Sequence, residues 1–297
     1  MKITITGGSG FLGSHVADAL SREGHKVIIF DKKKSKWIRP DQEMRIGDIL
    51  NVKALENAII GSDIVFHFAA LGDINQAIKN PLNTVNINIL GTVHALELSR
   101  KHNIKRFIHA STIYVNSADG SFYRSSKKAA EDYVDEYKKI YGLNYTILRF
   151  GSLYGQRSDD TNGVKKVVKS AILTGKVNYY GSKKSIRKYI HVTDAAKACV
   201  DILKNKYKNK SIILTGKGKI KVSIFLKKLA YLLNISKKIN FENKKYTGHY
   251  IVNPFNYKPL KGKRFVFKST INFYDGLLHL ISDIKKENNE KKFKKNN

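Results

Sequence analysis

Thr6-Gly7-Gly8-Ser9-Gly10-Phe11-Leu12-Gly13 reads T-G-x-x-G-x-x-G, between a β-branched apolar run at Lys2–Thr6 and an amphipathic stretch at 12–23. Strand, glycine turn and helix in that order suit a phosphate. The glycines allow a tight turn and close backbone approach, and the helix N-terminus offers free N–H groups to a pyrophosphate. A glycine-rich turn without a ligand is the plainer alternative, and the strand and helix on either side weigh against it. Gly7, Gly10, Phe11, Leu12 and Gly13 are therefore expected to hold a dinucleotide. Further along, Gly24 marks a left-handed helix end. A second strand at 26–30 then delivers Asp31, whose carboxylate would accept the adenosine ribose hydroxyls and repel a 2′-phosphate. That predicts NAD rather than NADP, with Lys32, Lys33 and Lys34 pulling the other way.

The same rhythm continues. Strands are expected at 44–47, 64–68, 107–110 and 145–149, with helices near 52–60, 82–102 and 123–141. Six strands alternating with helices make the parallel sheet of a dinucleotide-binding domain. After Gly155 the pattern changes: a polar stretch at 156–162 leads to helices near 164–174, 194–204 and 222–233 and strands at 177–180, 186–192 and 211–214. Residues 240–265 read mostly as loop. The expectation is an α/β fold, a Rossmann doubly wound parallel sheet with a smaller C-terminal substrate-binding lobe. Residues 1–155, with a returning segment near 186–205, would form the first. Residues 156–285 would form most of the second, and 286–297 a disordered basic tail.

Composition narrows the class. With 297 residues, 42% of them hydrophobic, the chain can bury a large core. No run approaches the roughly 18 apolar residues of a membrane span, and the start lacks a signal-peptide pattern, so a cytoplasmic protein is expected. One cysteine, Cys199, excludes an internal disulfide and a multi-cysteine metal site, and its helical position reads as core. Trp37 and the nine histidines show no metal-ligand spacing, so no metal is expected. The charge of +31 would suit a nucleic-acid binder, yet only ten of the 55 basic residues are Arg and no nucleic-acid-binding motif is present. The lysines read as a solvated surface that also attracts an anionic substrate.

The chemistry lies after the fifth strand. Tyr123 and Lys127 are four apart on one helix and so share a face. An ammonium beside a phenol lowers the phenol's pKa and makes it a usable general base. Such a spacing is cheap on a lysine-rich helix. Here it opens a helix at the carboxyl edge of a parallel sheet, where ligands gather. Ser111 and Thr112, ending the fifth strand, supply the nearest hydroxyls. Asp48 and Ile49 follow the third strand and suit an adenine-edge contact, although an Asp there also suits a helix cap.

These motifs together resemble the extended short-chain dehydrogenase/reductases, in particular the NAD-dependent epimerase/dehydratase branch. The stretch His67-Phe68-Ala69-Ala70 resembles its H-x-A-A, placing Ala69 and Ala70 along the cofactor. Asn88-Ile89-Leu90-Gly91-Thr92 resembles its N-x-x-G-T, and residues 149–155 its strand ending in Y-G. By resemblance Thr112, Tyr123 and Lys127 are catalytic, Tyr123 and Lys127 also touch NAD, and Thr112, Ser152 and Arg187 touch a nucleotide-sugar substrate. Arg187 would clamp the pyrophosphate in a segment similar to R-D-F-x-x-V-x-D, with Lys188 in place of the acid. His191 and Asp194 would fix the chain entering the next helix. The dehydratases of this branch carry Asp-Glu directly after the catalytic Thr, where this chain has Ile113-Tyr114. The resemblance thus implies C4 epimerisation of a UDP-hexose through a 4-keto sugar. Dehydration or reduction of such a substrate is the near alternative and a non-catalytic NAD-binding regulator the distant one. It also implies a homodimer joined through the helices near 82–102 and 123–141. His249-Tyr250, with Pro254-Phe255, either packs the lobe or touches substrate.

Overall fold

In the computed structural model, the described residues are 1–235, 239–242, 248–252 and 262–296, with side chains to 289. Pro254, Phe255 and Pro259 lie outside them. Six strands come first: β1 (Lys2–Thr6), β2 (Lys26–Asp31), β3 (Gln42–Ile46), β4 (Ile64–His67), β5 (Arg106–Thr112) and β6 (Tyr145–Phe150). Between them run α1 (Phe11–Arg22), α2 (Val52–Ile59), α3 (Ile74–Lys79), α4 (Pro81–Val85), α5 (Gly91–Lys101) and α6 (Ser121–Tyr141). The inner strands carry near-continuous apolar runs, such as Val27-Ile28-Ile29-Phe30, because both faces of a parallel sheet are covered.

The second half supplies β7 (Ser152–Tyr154), α7 (Gly163–Thr174), β8 (Val177–Tyr180), β9 (Ile186–Arg187), β10 (Tyr189–His191) and α8 (Val192–Asp201). It continues with β11 (Lys210–Leu214), β12 (Ile220–Lys221), α9 (Val222–Leu232), β13 (Ile239–Glu242), β14 (Lys263–Arg264) and α10 (Phe273–Asn296). The main sheet has eight strands in the order β14-β11-β6-β5-β4-β1-β2-β3, all parallel. The chain therefore returns further than residues 186–205. Beyond α8, which lies on α1, two strands extend the sheet past β6. The lysine-rich end from 286, expected as a disordered tail, continues α10 to Asn296.

One apolar layer joins the sheet to α1 and α8 through Val16, Leu20, Ala195 and Cys199. The other joins it to α2, α5 and α6 through Leu55, Leu96 and Val134. A separate core holds the lobe together, where Val168, Phe225, Leu229, Leu277, Ile281 and Ile284 bring α7, α9 and α10 into contact. Strand order reverses between β1 and β4, and the crevice above their carboxyl ends is where this topology binds ligands.

Candidate active site

The glycine turn has the shape its sequence predicts. Gly7 has a left-handed backbone with φ of 70°, and a Cβ there would come within 2.6 Å of the Ala69 nitrogen. At Gly13 a Cβ would sit 2.2 Å from the Gly7 carbonyl oxygen, so the helix can approach the turn only as glycine. Gly10 precedes α1 and supplies no side-chain cap, which leaves the first N–H groups of Phe11, Leu12 and Gly13 for a ligand. Asp31 closes this cradle. Its carboxylate accepts from the Ser9 N–H at 3.1 Å and the Lys33 N–H at 3.2 Å, which fixes its position and leaves lone pairs for ribose hydroxyls. Lys32, Lys33 and Lys34 are exposed beside it. Asp48 accepts from the Leu50 N–H, while the cap of α2 is Asn51, which accepts from the Ala54 N–H. Asp48 is thus not the helix cap. Ile49 is buried against Gly91, and Ala69 and Ala70 stay partly open beyond β4. A glycine cradle, an anchored acid and a bare helix start together fit NAD.

A hydrogen-bonded chain links this cradle to the tyrosine helix. Thr6 donates to His67 Nδ1 at 2.9 Å, because the neutral ring carries its proton on Nε2, and the Thr6 oxygen also accepts from the Ala69 N–H. Thr92 donates to the Asn88 carbonyl at 2.7 Å, so the contact of His67 Nε2 with Thr92 Oγ1 at 3.0 Å is donated by the ring. Burial holds His67 neutral, its pKa pulled down to about 3. Asn88 lies in a π-helical turn, Asn86–Leu90, that interrupts the single helix expected at 82–102. Its amide accepts from the Leu71 N–H at 2.7 Å, donates to the Leu71 carbonyl at 3.1 Å and donates to Ser126 Oγ at 2.9 Å. Ser126 in turn donates to the Tyr123 carbonyl at 2.9 Å. The π turn exists because Asn88 ties two neighbouring segments at once. A helix-period reading cannot show that.

Tyr123, Lys127 and Glu131 follow one another on one face of α6 at intervals of four. Tyr123 is hydrogen-bonded to Thr112 at the end of β5. Burial pushes its phenol up to about 12, against the lowering expected from the neighbouring ammonium, because phenolate loses its hydration there and only Thr112 opposes the rise. Lys127 is 3% exposed, and burial pulls it down to about 8, with the Glu131 charge acting the other way. Glu131 accepts from Arg149 Nε at 2.9 Å and Nη2 at 2.6 Å and from Ser111 Oγ at 2.5 Å. That buried knot joins α6 to β5 and β6 and aims the helix across the sheet edge. The sequence reading left out Glu131, although its spacing from Lys127 was a signal.

Across the cleft, the Tyr250 phenol is hydrogen-bonded to Ser152. The Arg187 guanidinium stacks 4.3 Å above the Tyr250 ring and donates to the carbonyls of Ile186 and Ile251. Tyr250 therefore joins the two residues expected to touch substrate. Further off, His191 caps α8 by accepting from the Thr193 N–H, and Asp194 accepts from the Ile271 N–H. Among the described residues no group of three His, Cys, Asp or Glu could hold a metal, and no helix is long and apolar enough to cross a membrane.

A parallel Rossmann sheet with a glycine cradle, an anchored acid at the end of β2 and a Tyr/Lys pair defines an NAD-dependent enzyme of the short-chain dehydrogenase/reductase kind. A profile of the NAD dependent epimerase/dehydratase family matches residues 3–215, and the chain belongs to that family. A putative UDP-glucose 4-epimerase of Methanocaldococcus jannaschii is 31% identical over 239 residues, covering 73% of this chain and 77% of that protein. Two solved structures share the fold over nearly the whole chain. The UDP-glucose 4-epimerase of Thermotoga maritima with UDP-glucose has a TM-score of 0.83 at 24% identity, covering 97% of this chain and 99% of that one. The UDP-glucuronic acid 4-epimerase of Bacillus cereus, in complex with UDP-glucuronic acid and NAD, has a TM-score of 0.84 at 23% identity, covering 96% and 99%. Relatives named as a dTDP-D-glucose 4,6-dehydratase and a UDP-N-acetyl-alpha-D-glucosaminuronate decarboxylase also match, at 29% and 26% identity.

Proposed function

We propose that this chain epimerises a UDP-hexose at C4, with Thr112, Tyr123 and Lys127 as its catalytic residues. The observation that carries the reading is the hydrogen-bonded Thr112–Tyr123 pair with Lys127 one turn on, followed at Ile113-Tyr114 by no carboxylate. Tyr123 takes the proton of the C4 hydroxyl as C4 becomes a ketone, and Thr112 hydrogen-bonds that hydroxyl. Lys127 would hold the nicotinamide ribose of bound NAD. When bound, NAD supplies the hydride acceptor and then the donor, and its positive ring opposes the burial that raises the Tyr123 pKa. Returning the proton to an alkoxide of opposite configuration needs no further acid. Expelling water, by contrast, requires a second acid/base that Ile113 cannot supply. In this reading Gly7, Gly10, Phe11, Leu12 and Gly13 bind the pyrophosphate of NAD, Asp31 its ribose, and Asp48 and Ile49 its adenine end. Ser152 and Arg187 bind the substrate, which requires Arg187 to exchange carbonyl partners for phosphate oxygens.

The reading includes a homodimer. Leu82 and Val85 on α4 and Phe122, Tyr133 and Ile140 on α6 are exposed, Leu82 by 80%, on adjoining segments of one side of the molecule. A second copy would cover them.

Incubation with UDP-glucose and with UDP-N-acetylglucosamine should give, for at least one, an interconverting pair of equal mass with no net NADH. Tyr123→Phe should abolish turnover and leave NAD binding near normal. A product lighter by one water, or full activity in Tyr123→Phe, overturns the reading and leaves the fold standing.

A further inference from the structure

Resting on the proposed reaction, we infer that Tyr114 and His249 form a neutral hydrogen-bonded pair that selects a hydroxyl-bearing hexose and rejects a uronic acid. Tyr114 stands two residues beyond Thr112, and its N–H donates to Thr112 Oγ1 at 3.3 Å. Its phenol is within electrostatic reach of both Tyr123 and Arg187. A substrate with one hydroxyl at Tyr123 and its diphosphate at Arg187 must run past this ring.

The pair is a built feature. Tyr114 Oη lies 2.8 Å from His249 Nδ1, and the Tyr114 and Tyr250 rings are 5.5 Å apart. The strand of chain from Gly248 to Val252 that carries His249 is anchored at both sides of the cleft. The Gly248 carbonyl accepts from the Gly120 N–H at 2.9 Å, at the start of the tyrosine helix. The Ile251 carbonyl accepts from the Ile186 N–H at 2.8 Å, beside Arg187.

The direction of the shared proton decides what the pair can read. His249 is exposed, and lost hydration, reinforced by the Arg187 charge, lowers its pKa from an ordinary 6.5, so at neutral pH its ring is uncharged. Burial pushes the Tyr114 phenol upward, so it too stays neutral. The pair acts by hydrogen bonding. A phenol is a far stronger acid than a neutral imidazole N–H, so Tyr114 donates and His249 Nδ1 accepts. The Tyr114 oxygen then has only lone pairs left for the cleft. It welcomes a hydroxyl or an amide N–H and opposes a carboxylate, which has no proton to give. The net positive charge of the chain attracts any anion, but at long range that attraction is screened over about 8 Å at physiological salt. The mismatch at contact is not screened and should win.

Calorimetry with the NAD-loaded protein, titrating UDP-glucose and UDP-glucuronic acid, tests this without requiring turnover. The hexose should bind at least about tenfold more tightly, the ratio set by one unmatched polar contact. Tyr114→Phe should weaken UDP-glucose and collapse the ratio. His249→Leu frees the phenol proton to turn toward the sugar, and UDP-glucuronic acid should then bind more tightly than it does to the native protein. Equal or tighter native binding of the uronic acid overturns the inference, as does an unchanged ratio in both variants. Binding that follows the expected order without epimerisation overturns the proposed reaction and leaves this inference standing. No binding of either sugar overturns both.

Discussion

At Lys127 burial and charge are most directly opposed. The ammonium is 3% exposed and its pKa falls from 10.5 to about 8 because desolvation outweighs the Glu131 charge. The sign of the linkage follows from the folded value lying below the unfolded one. Between these two pH values the unfolded chain holds a proton that the folded chain has released, so folding stability from this group rises as pH rises through the window. Below pH 8 both states are protonated and the penalty of burying the ammonium is fully present. A shift of this size is worth about 3 kcal/mol. Lys127→Met removes the titration. In the NAD-free protein the variant should gain stability relative to wild type at pH 7, and that advantage should shrink by about 3 kcal/mol by pH 10.5. Urea unfolding across the range measures it, and a gap independent of pH would mean that Lys127 is not desolvated. The Tyr/Lys spacing was legible in the sequence, but the direction of the Tyr123 shift was not. Spacing shows which groups meet, and only the packed environment shows that desolvation at Tyr123 exceeds the help it receives.

The tyrosine helix is set by a contact eighteen residues apart. Glu131 on α6 and Arg149 on β6 pair in the interior, their side chains 4% and 9% exposed, with Ser111 completing the carboxylate. Removing Glu131 takes two buried charge-assisted hydrogen bonds from Arg149 and one from Ser111, and breaking a buried pair in this way costs about 3–5 kcal/mol. Glu131→Ala should lower urea stability by about that amount, and because Glu131 supports the Lys127 proton it should also move the Lys127 pKa further down. A loss below about 1 kcal/mol would place the pair among weak surface bridges. Elements whose apolar period lies within their own residues were readable: α1, α7, α9 and β1 stand within a residue or two of expectation. No helix was expected at α10, although Phe273, Leu277, Leu280, Ile281 and Ile284 recur at helical spacing ahead of the lysine- and asparagine-rich end. A strand at 211–214 was expected, yet nothing in its residues says that it pairs with β6 and not within the lobe. The π turn at Asn86–Leu90 depends on Leu71 and Ser126, which no local window contains.

At the scale of the whole molecule, charge and apolar surface point in opposite directions. A net charge of +31 on each copy resists association, yet at physiological salt the repulsion is screened over about 8 Å. The exposed apolar groups on α4 and α6 act at contact. Phe122, Tyr133 and Ile140 are 49%, 45% and 67% exposed and recur along one helix, beside Leu82 and Val85 on the neighbouring segment. Burying a large apolar side chain of this kind is worth about 1.5–3 kcal/mol, so several of them on each of two copies can outweigh a screened repulsion. The proposed catalytic residues Thr112, Tyr123 and Lys127 all belong to a single chain. Association should therefore support α6, the helix that carries Tyr123 and Lys127, and contribute no residue to the chemistry. Leu82→Glu with Phe122→Glu places two charges per copy on that apolar surface. Sedimentation velocity at physiological salt should then show a dimer for the native chain and a monomer for the double variant, with unchanged helical circular dichroism. The monomer should retain NAD binding, since the cradle at Gly7 to Gly13 lies between β1 and the first turn of α1 and not on this surface. A native chain that sediments as a monomer, or a double variant that remains dimeric, would place the association surface elsewhere or remove it.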